Sequence, residues 1–328
     1  MAMGAWHREI DAGLALLIGA PLEATVVAGL RGTPCRELVL SRVGDLWHWA
    51  RGGDRSWPEL AEAWPTAVPE TKPLTVYEAE ADGRLAAARA MTRTGVAKGM
   101  AATVARHIRA RALGYDKGGR DGYGLWSRLR LLRRRRDDLV HLRRVGRDLA
   151  AHQGRFVYWP LQTEPEVALA QMSPEFFFQH AAIAALSRDL PVGVELLVKE
   201  HRSALGRRPR DFHDQLMALP NVAMLKPDED GLAVIRRAGA VATITGAAGQ
   251  EALCLGRRVL SFGRHNPWGF MPGCRVVTDL GDLRADIEWA MSIDANEIEQ
   301  GKRLNGALRA CSFRLDAAAA LAALAATL

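Results

Sequence analysis

The chain has 328 residues, 48% hydrophobic and 25% charged, with a formal net charge of +7. That length and balance suit one large packed domain or two ordinary ones, and exclude wholesale disorder or a fibrous repeat. No run approaches the roughly 20 apolar residues of a spanning helix, the longest being 14–20 and 317–328. Arg8, Glu9 and Asp11 give the first of these no positive flank, so export is not expected and the chain is placed in the cytoplasm. Cys35, Cys254, Cys274 and Cys311 form no C-x-x-C pair and read as ordinary buried thiols.

Residues 1–105 are Ala-rich and mostly helical by pattern, with strand-like runs at 24–28 and 37–40. They are expected to form a reduced, helix-rich amino-terminal domain. The stretch 52–73, with four prolines and two tryptophans, reads as an irregular loop.

The positive charge is local. Residues 106–148 hold 13 Arg and one Lys against five Asp, a net +9, so the remainder is at −2. Charge concentrated in this way points to an anionic partner. Within 124–145, Leu125, Leu129, Leu132, Leu139 and Leu142 recur at helical spacing opposite a mostly arginine face. A helix with Trp126 and leucines on one side and arginines on the other suits an anionic membrane surface, here the inner membrane through Arg128–Arg147. A linker helix packed on its own protein is an equal alternative. Nucleic acid is not expected, because no aromatic interleaving accompanies the basic run. Residues 106–150 are therefore set apart as a basic helical linker.

From 154 onward, short apolar runs alternate with helical segments. Strands are expected at 155–161, 194–199, 222–226, 240–244, 259–262 and 274–278, with helices near 177–188, 210–219, 231–238 and 248–255. Strand, helix, strand at this spacing means right-handed crossovers and a parallel sheet covered on both faces. Residues 151–328 thus read as a Rossmann-like α/β domain ending in an alanine-rich helix.

Ligands of such sheets gather beyond the carboxyl ends of the strands. The first end presents Gln162, Glu164 and Glu166; the second crowds Lys199, Glu200, His201 and Arg202 together, where an imidazole beside cations suits a phosphate. The fourth runs Thr243-Ile-Thr245-Gly246-Ala247-Ala248-Gly249-Gln-Glu251. Its small residues let a backbone approach a ligand, Thr245 can cap the helix, and the first-turn amides attract an anion. Glu251 lies where it could reach a ribose hydroxyl. The bland alternative is a tight strand-to-helix corner. G-x-G-x-x-G, Walker, H-E-x-x-H and G-x-S-x-G signatures are absent. Asp228-Glu-Asp230 follows Pro227 and opens a helix, where acidic caps are ordinary, so no metal is expected.

Three of these segments, Tyr158–Glu166, Val198–His201 and Thr243–Glu251, resemble the F-P-L-x-x-Q-P-E, V-K-E-H-P and T-x-T-G-T-A-G-x-E-A segments of the bacterial capsule polysaccharide biosynthesis family. The characterised members of that family are Kdo transferases using CMP-Kdo. The resemblance implies a GT-B arrangement, with Glu166 near the donor sugar, His201 on the donor phosphate, and Thr245 and Gly246 at the nucleotide. Glu164, Arg202 and Ala247 stand where the family has glutamine, proline and threonine.

The function expected is a metal-independent glycosyltransferase of surface-polysaccharide assembly. It would move Kdo or a related acidic sugar from a nucleotide sugar to a glycan or glycolipid acceptor. Glu166 and His201 are its expected catalytic pair; Gln162, Glu164, Lys199, Thr243, Thr245, Gly246, Ala247, Gly249 and Glu251 are its expected nucleotide-sugar contacts. The alternatives are a non-catalytic nucleotide-sugar-binding scaffold subunit and a CDP-polyol phosphotransferase.

Overall fold

The computed structural model describes residues 15–18, 30, 32–41, 46–51, 57–71, 92–114, 124–164, 169, 173–176, 178–292 and 296–325. The early described residues favour strands over helix: β1 (Ala15–Ile18), β2 (Cys35–Leu40) and β3 (Leu46–Arg51). β2 and β3 combine β-branched and aromatic residues with a buried face at Leu38 and Trp49, which suits a half-covered sheet better than a helix. The strand expected at 24–28 lies outside the described residues. The proline-rich stretch, read from sequence as irregular, contains helix α1 (Pro58–Ala63) and a 3-10 turn (Trp64–Thr66). Each opens with proline in its first turn, where a missing N–H costs nothing.

Two long helices follow. Helix α2 (Arg93–Ala112) is capped by Thr92, whose hydroxyl accepts from Gly95 N–H at 3.1 Å. The basic helix α3 (Leu125–Val145) covers the span expected for it. The two pack together, with Gly99 against Leu132.

The remaining elements alternate: β4 (Arg155–Pro160), α4 (His180–Asp189), β5 (Val194–Lys199), α5 (Phe212–Met217), β6 (Val222–Met224), α6 (Gly231–Arg237), β7 (Ala240–Thr243), α7 (Ala247–Cys254), β8 (Val259–Ser261), β9 (Cys274–Val276) and α8 (Arg284–Met291). The six strands form one wholly parallel sheet in the order β6-β5-β4-β7-β8-β9. Both faces are apolar because both are covered. Val157, Trp159, Leu196 and Val198 pack against α3, α4, α5 and α8. Phe156, Tyr158 and Leu197 face α6, α7 and the next helix, α9 (Asn296–Ala310).

After α9 the chain returns to the first sheet. Strand β10 (Phe313–Arg314) pairs antiparallel with β3, giving the order β1-β2-β3-β10, and α10 (Ala317–Ala325) lies on it. There Leu324 joins Leu38 and Trp49, and Trp49 Nε1 donates to Ala320 O at 2.8 Å. Ala50, Trp57 and Leu60 share a core cluster with Leu253, Leu304 and Leu308, so the two sheets are joined by packed hydrocarbon.

Helix α3 is docked on the parallel-sheet unit along much of its length. Leu139 and Leu142 enter the core, while Asp138 Oδ2 accepts from Gly206 N at 2.7 Å. Gly206 has φ +80°, and a Cβ there would lie 2.7 Å from the Arg135 nitrogen, so only glycine lets helix and loop approach this closely. Arg134 donates to Arg208 O, Arg135 to Leu205 O, Arg143 to both oxygens of Asp228, and Arg147 to Glu195. Four arginines counted from sequence toward an external anion therefore bind this chain itself. Among the described residues no helix is long and apolar enough to cross a membrane. The four cysteines are unpaired, and burial pushes the Cys274 thiol up to about 12 and Cys311 to about 11.

Candidate functional site

The strand order of the parallel sheet reverses between β4 and β7, which opens a crevice beyond their carboxyl ends. The loop after β4 crosses it. Gln162 Nε2 donates to Thr245 Oγ1 at 3.1 Å and Gln162 Oε1 accepts from Thr245 N at 3.3 Å, tying the two sides together. Thr245, a candidate cap from sequence, is therefore otherwise engaged. The turn is closed instead by Thr243, whose hydroxyl accepts from Gly246 N at 3.2 Å. Gly246 opens α7 and no side chain caps it. The first amides of a helix lack intrahelical acceptors and carry the positive end of its dipole. Ala247 and Ala248, partly exposed, lie in that first turn.

On the other side of the β4 loop, His201 begins a 3-10 turn (Arg202–Ala204) with its Nδ1 accepting from Ser203 N at 3.3 Å. With Nδ1 an acceptor, the neutral ring carries its proton on Nε2 and presents it as a donor. Ser203 Oγ lies 2.6 Å from His201 Nδ1 and 2.8 Å from Thr163 Oγ1, joining this loop to the β4 loop. Imidazole, hydroxyls and open helix amides thus line one end of the sheet, a donor set suited to an anion.

A buried polar network lies below. Glu200 is fully buried; its Oε1 accepts from His201 N at 2.7 Å and from Arg208 Nη2 at 3.0 Å, its Oε2 from Arg208 Nε and His213 Nε2, both at 2.7 Å. Burial alone would raise its pKa, but the hydrogen bonds of His213 and Arg208 and their charge outweigh it and hold the carboxyl at about 2. Arg208 continues to Glu164 Oε2 at 2.7 Å and to Gln162 O at 2.6 Å. Gln179 closes the cluster: its Oε1 accepts from Gln162 N at 2.8 Å, and its Nε2 donates to Glu164 Oε1 at 2.8 Å.

Comparison with known families bears on what this site serves. The sequence profile described as "Capsule polysaccharide biosynthesis protein" matches residues 110–280, just over half of the chain. The chain belongs to that family. The match includes α3, all six parallel strands and each loop of the crevice, as the resemblance of the three strand ends implied. No curated protein matches. Among solved structures, the chain is similar to Thermosulfurimonas dismutans KpsC, beta Kdo 2,7 transferase, at 13% identity and a TM-score of 0.46, covering 95% of this chain and 82% of that one. A second KpsC structure from that organism, the beta Kdo 2,4 transferase, aligns at 12% identity and 0.39, over 88% and 78%. The glycosyltransferase SnogD from Streptomyces nogalater aligns at 19% and 0.34, over 53% and 45%.

Within this capsule-family chain, the residues expected at the site divide by exposure. His201, Gly246 and Ala247 face the crevice or border it. Gln162, Glu164 and Thr245 support it from within, their polar atoms held by one another, by Gln179 and by Arg208. Thr243 is fully buried and has no surface for a ligand. Gly249 is buried too, and its small size has an internal cause: a Cβ there would lie 2.8 Å from the Trp268 ring. Glu251 is half-buried on α7. Lys199 acts on the next loop, where its charge and that of Arg202 add to the Arg143 hydrogen bond that lowers the pKa of Asp228. Glu166 lies outside the described residues.

The acidic run after β6 is engaged in the same way. Asp228 pairs with Arg143, Glu229 accepts from Leu149 N, and Asp230 caps α6 through Ala233 N. Arg208, His213 and Gln179 escaped the sequence reading, since nothing in their spacing marks them. A buried Glu200 after an apolar strand was the available signal, because an interior carboxylate requires partners. Also missed was the loop after β8, where Gly263 N donates to Ile244 O at 3.1 Å and Arg264 and His265 are exposed.

Proposed function

We propose that this protein is a metal-independent glycosyltransferase of GT-B type in capsular polysaccharide assembly, taking an acidic sugar of the Kdo class from a CMP-linked donor. The observation that supports this reading is the lacing of three loops at the switch of the parallel sheet, with a histidine donor on one side and an uncapped helix on the other. In this reading the His201 Nε2–H and the amides of Ala247 and Ala248 hold the donor phosphate. They stabilise the charge that develops as the bond between the anomeric carbon and the phosphate oxygen breaks. The departing nucleotide keeps the electron pair. The acceptor hydroxyl oxygen forms the new bond, and its proton passes to a carboxylate, the role assigned to Glu166. Arg264 and His265, exposed on the adjoining loop, add positive potential for an anionic donor.

The acceptor in this reading is a lipid-linked or glycan chain, met at the inner membrane. The docking surface is narrower than the whole basic helix. It is the end of the α2–α3 hairpin, where Trp126 is 80% exposed, Ile108 62% and Leu113 71%, with Arg109, Arg111 and Arg130 also exposed. Apolar side chains among arginines suit the boundary of an anionic bilayer.

Incubation with CMP-Kdo, CDP-glycerol and UDP- and GDP-sugars tests the reading. Slow CMP release from CMP-Kdo, lost in His201→Ala, is the expected result. A thermal shift with CMP and no turnover of any donor would make the protein a binding subunit, a reading favoured by the locked carboxylate of Glu164. Turnover of CDP-glycerol alone would transfer the site to polyol phosphate chemistry.

A further inference from the structure

One buried side chain touches more of the site than any residue on its surface. Arg208 is 2% exposed, and its guanidinium lies 4.7 Å from the Phe212 ring centre. Removing a guanidinium and a carboxylate from water yields little net stability compared with apolar side chains of similar volume. Such a group is better understood by what it holds apart and together. Its Nε and Nη2 bind Glu200, whose Oε1 also takes the backbone N–H of His201. Its Nη1 binds Glu164, the residue after Thr163, which bonds the serine that orients His201. Its Nη2 also reaches the carbonyl of Gln162, whose side-chain amide holds Thr245 at the opening of α7.

We propose that Arg208 is the positioning residue of the crevice: it sets the register of the β5 loop against the β4 loop, and so the separation of the His201 ring from the α7 turn. Four donated hydrogen bonds from one planar group fix both distance and angle, which the point charge of a lysine cannot reproduce. His213 completes the arrangement with a second hydrogen bond to Glu200 Oε2, the oxygen that Arg208 Nε also holds. The functional consequence rests on reading the crevice as a phosphate site; the positioning itself does not.

The test follows the His201 ring by NMR in the intact, ligand-free protein with labelled histidine, its signal assigned by loss in His201→Gln. Wild type is expected to show a single His201 signal with Nδ1 as the hydrogen-bond acceptor. Arg208→Lys and Glu164→Gln are expected to broaden or shift that signal. Arg208→Met risks unfolding by stranding Glu200, so the double variant Arg208→Met/Glu200→Gln serves beside it. That variant is expected to recover melting temperature without recovering the His201 signal. His201 resonances in Arg208→Lys that superimpose on wild type would overturn the proposal. Recovery of the signal with stability in the double variant would do so equally, showing a merely structural role. CMP titration supplies the functional arm: Arg208→Lys is expected to weaken CMP about tenfold, the loss of one well-aimed hydrogen bond to the phosphate, and unchanged CMP affinity would remove the functional half of the proposal. Should wild type not bind CMP, the phosphate reading fails while the NMR result still decides the role of Arg208.

Discussion

The crevice and the α2–α3 hairpin both concentrate charge, and they use it in opposite ways. Below the crevice, Glu200, Arg208 and Glu164 are withdrawn from water and satisfied within a few ångströms, so removing one partner strands the others. On the hairpin, the docked part of α3 binds backbone carbonyls and surface acids, while its first turns and the end of α2 leave arginines in solvent. Buried charge determines where atoms sit; exposed charge determines what the surface attracts.

The largest expected effect comes from breaking the buried side of this comparison. Glu200→Ala leaves Arg208 without its main partner and is expected to cost about 3–5 kcal/mol in denaturant unfolding. Arg133→Ala, on an exposed side chain, is expected to cost under about 0.5 kcal/mol. Equal costs would erase the distinction.

Acid sharpens it further. The folded pKa of Glu200 is depressed to about 2 from an ordinary 4.5, and the Arg188 hydrogen bond, against burial, holds Asp189 at about 2 rather than 3.8. A depressed carboxyl stabilises the fold above its unfolded pKa, and that stability is lost as pH falls through the folded value. Glu200 is therefore expected to favour the folded state at neutral pH, with that contribution lost as pH falls from 4.5 to about 2. A melting temperature flat across that window would contradict the network.

A smaller effect is expected behind the α7 turn. Gly249→Ala places a methyl group against Trp268, which should cost about 1–3 kcal/mol by overpacking. Because the residue is buried, the loss should be in stability with CMP affinity kept; the reverse result would mean that Gly249 contacts ligand. The smallest effect belongs to the hairpin. Arg130→Ala is expected to weaken binding to anionic vesicles by about 1 kcal/mol and leave the weak binding to neutral vesicles unchanged, whereas Trp126→Ala is expected to weaken both. Equal flotation of wild type with both vesicle types would remove the membrane reading.

How legible the molecule was depends on the distance over which each feature is encoded. The parallel sheet could be read strand by strand, because runs such as Ala240–Thr243 are buried at every position and are bounded by turn residues. The first sheet could not, because β3 is completed by Phe313–Arg314, more than 250 residues away. The crevice was legible at His201 and at the turn after β7, where small residues and an imidazole follow strands. Its support was not, since Arg208 meets Glu164 and Gln162 only after α4 and β5 have brought them together.

By itself, then, the sequence determined the alternation of strand and helix, the family of the second half and the chemical types at the strand ends, all matters of local pattern. Tertiary structure alone decided which of those polar groups face the crevice and which are consumed inside it. It also decided which arginines of α3 bind their own chain, and which sheet the carboxyl-terminal residues complete. The physical reason is that desolvation and pairing depend on neighbours in space. A carboxylate such as Glu164 has one chemistry in the sequence, and another once Arg208 and Gln179 have taken both of its oxygens.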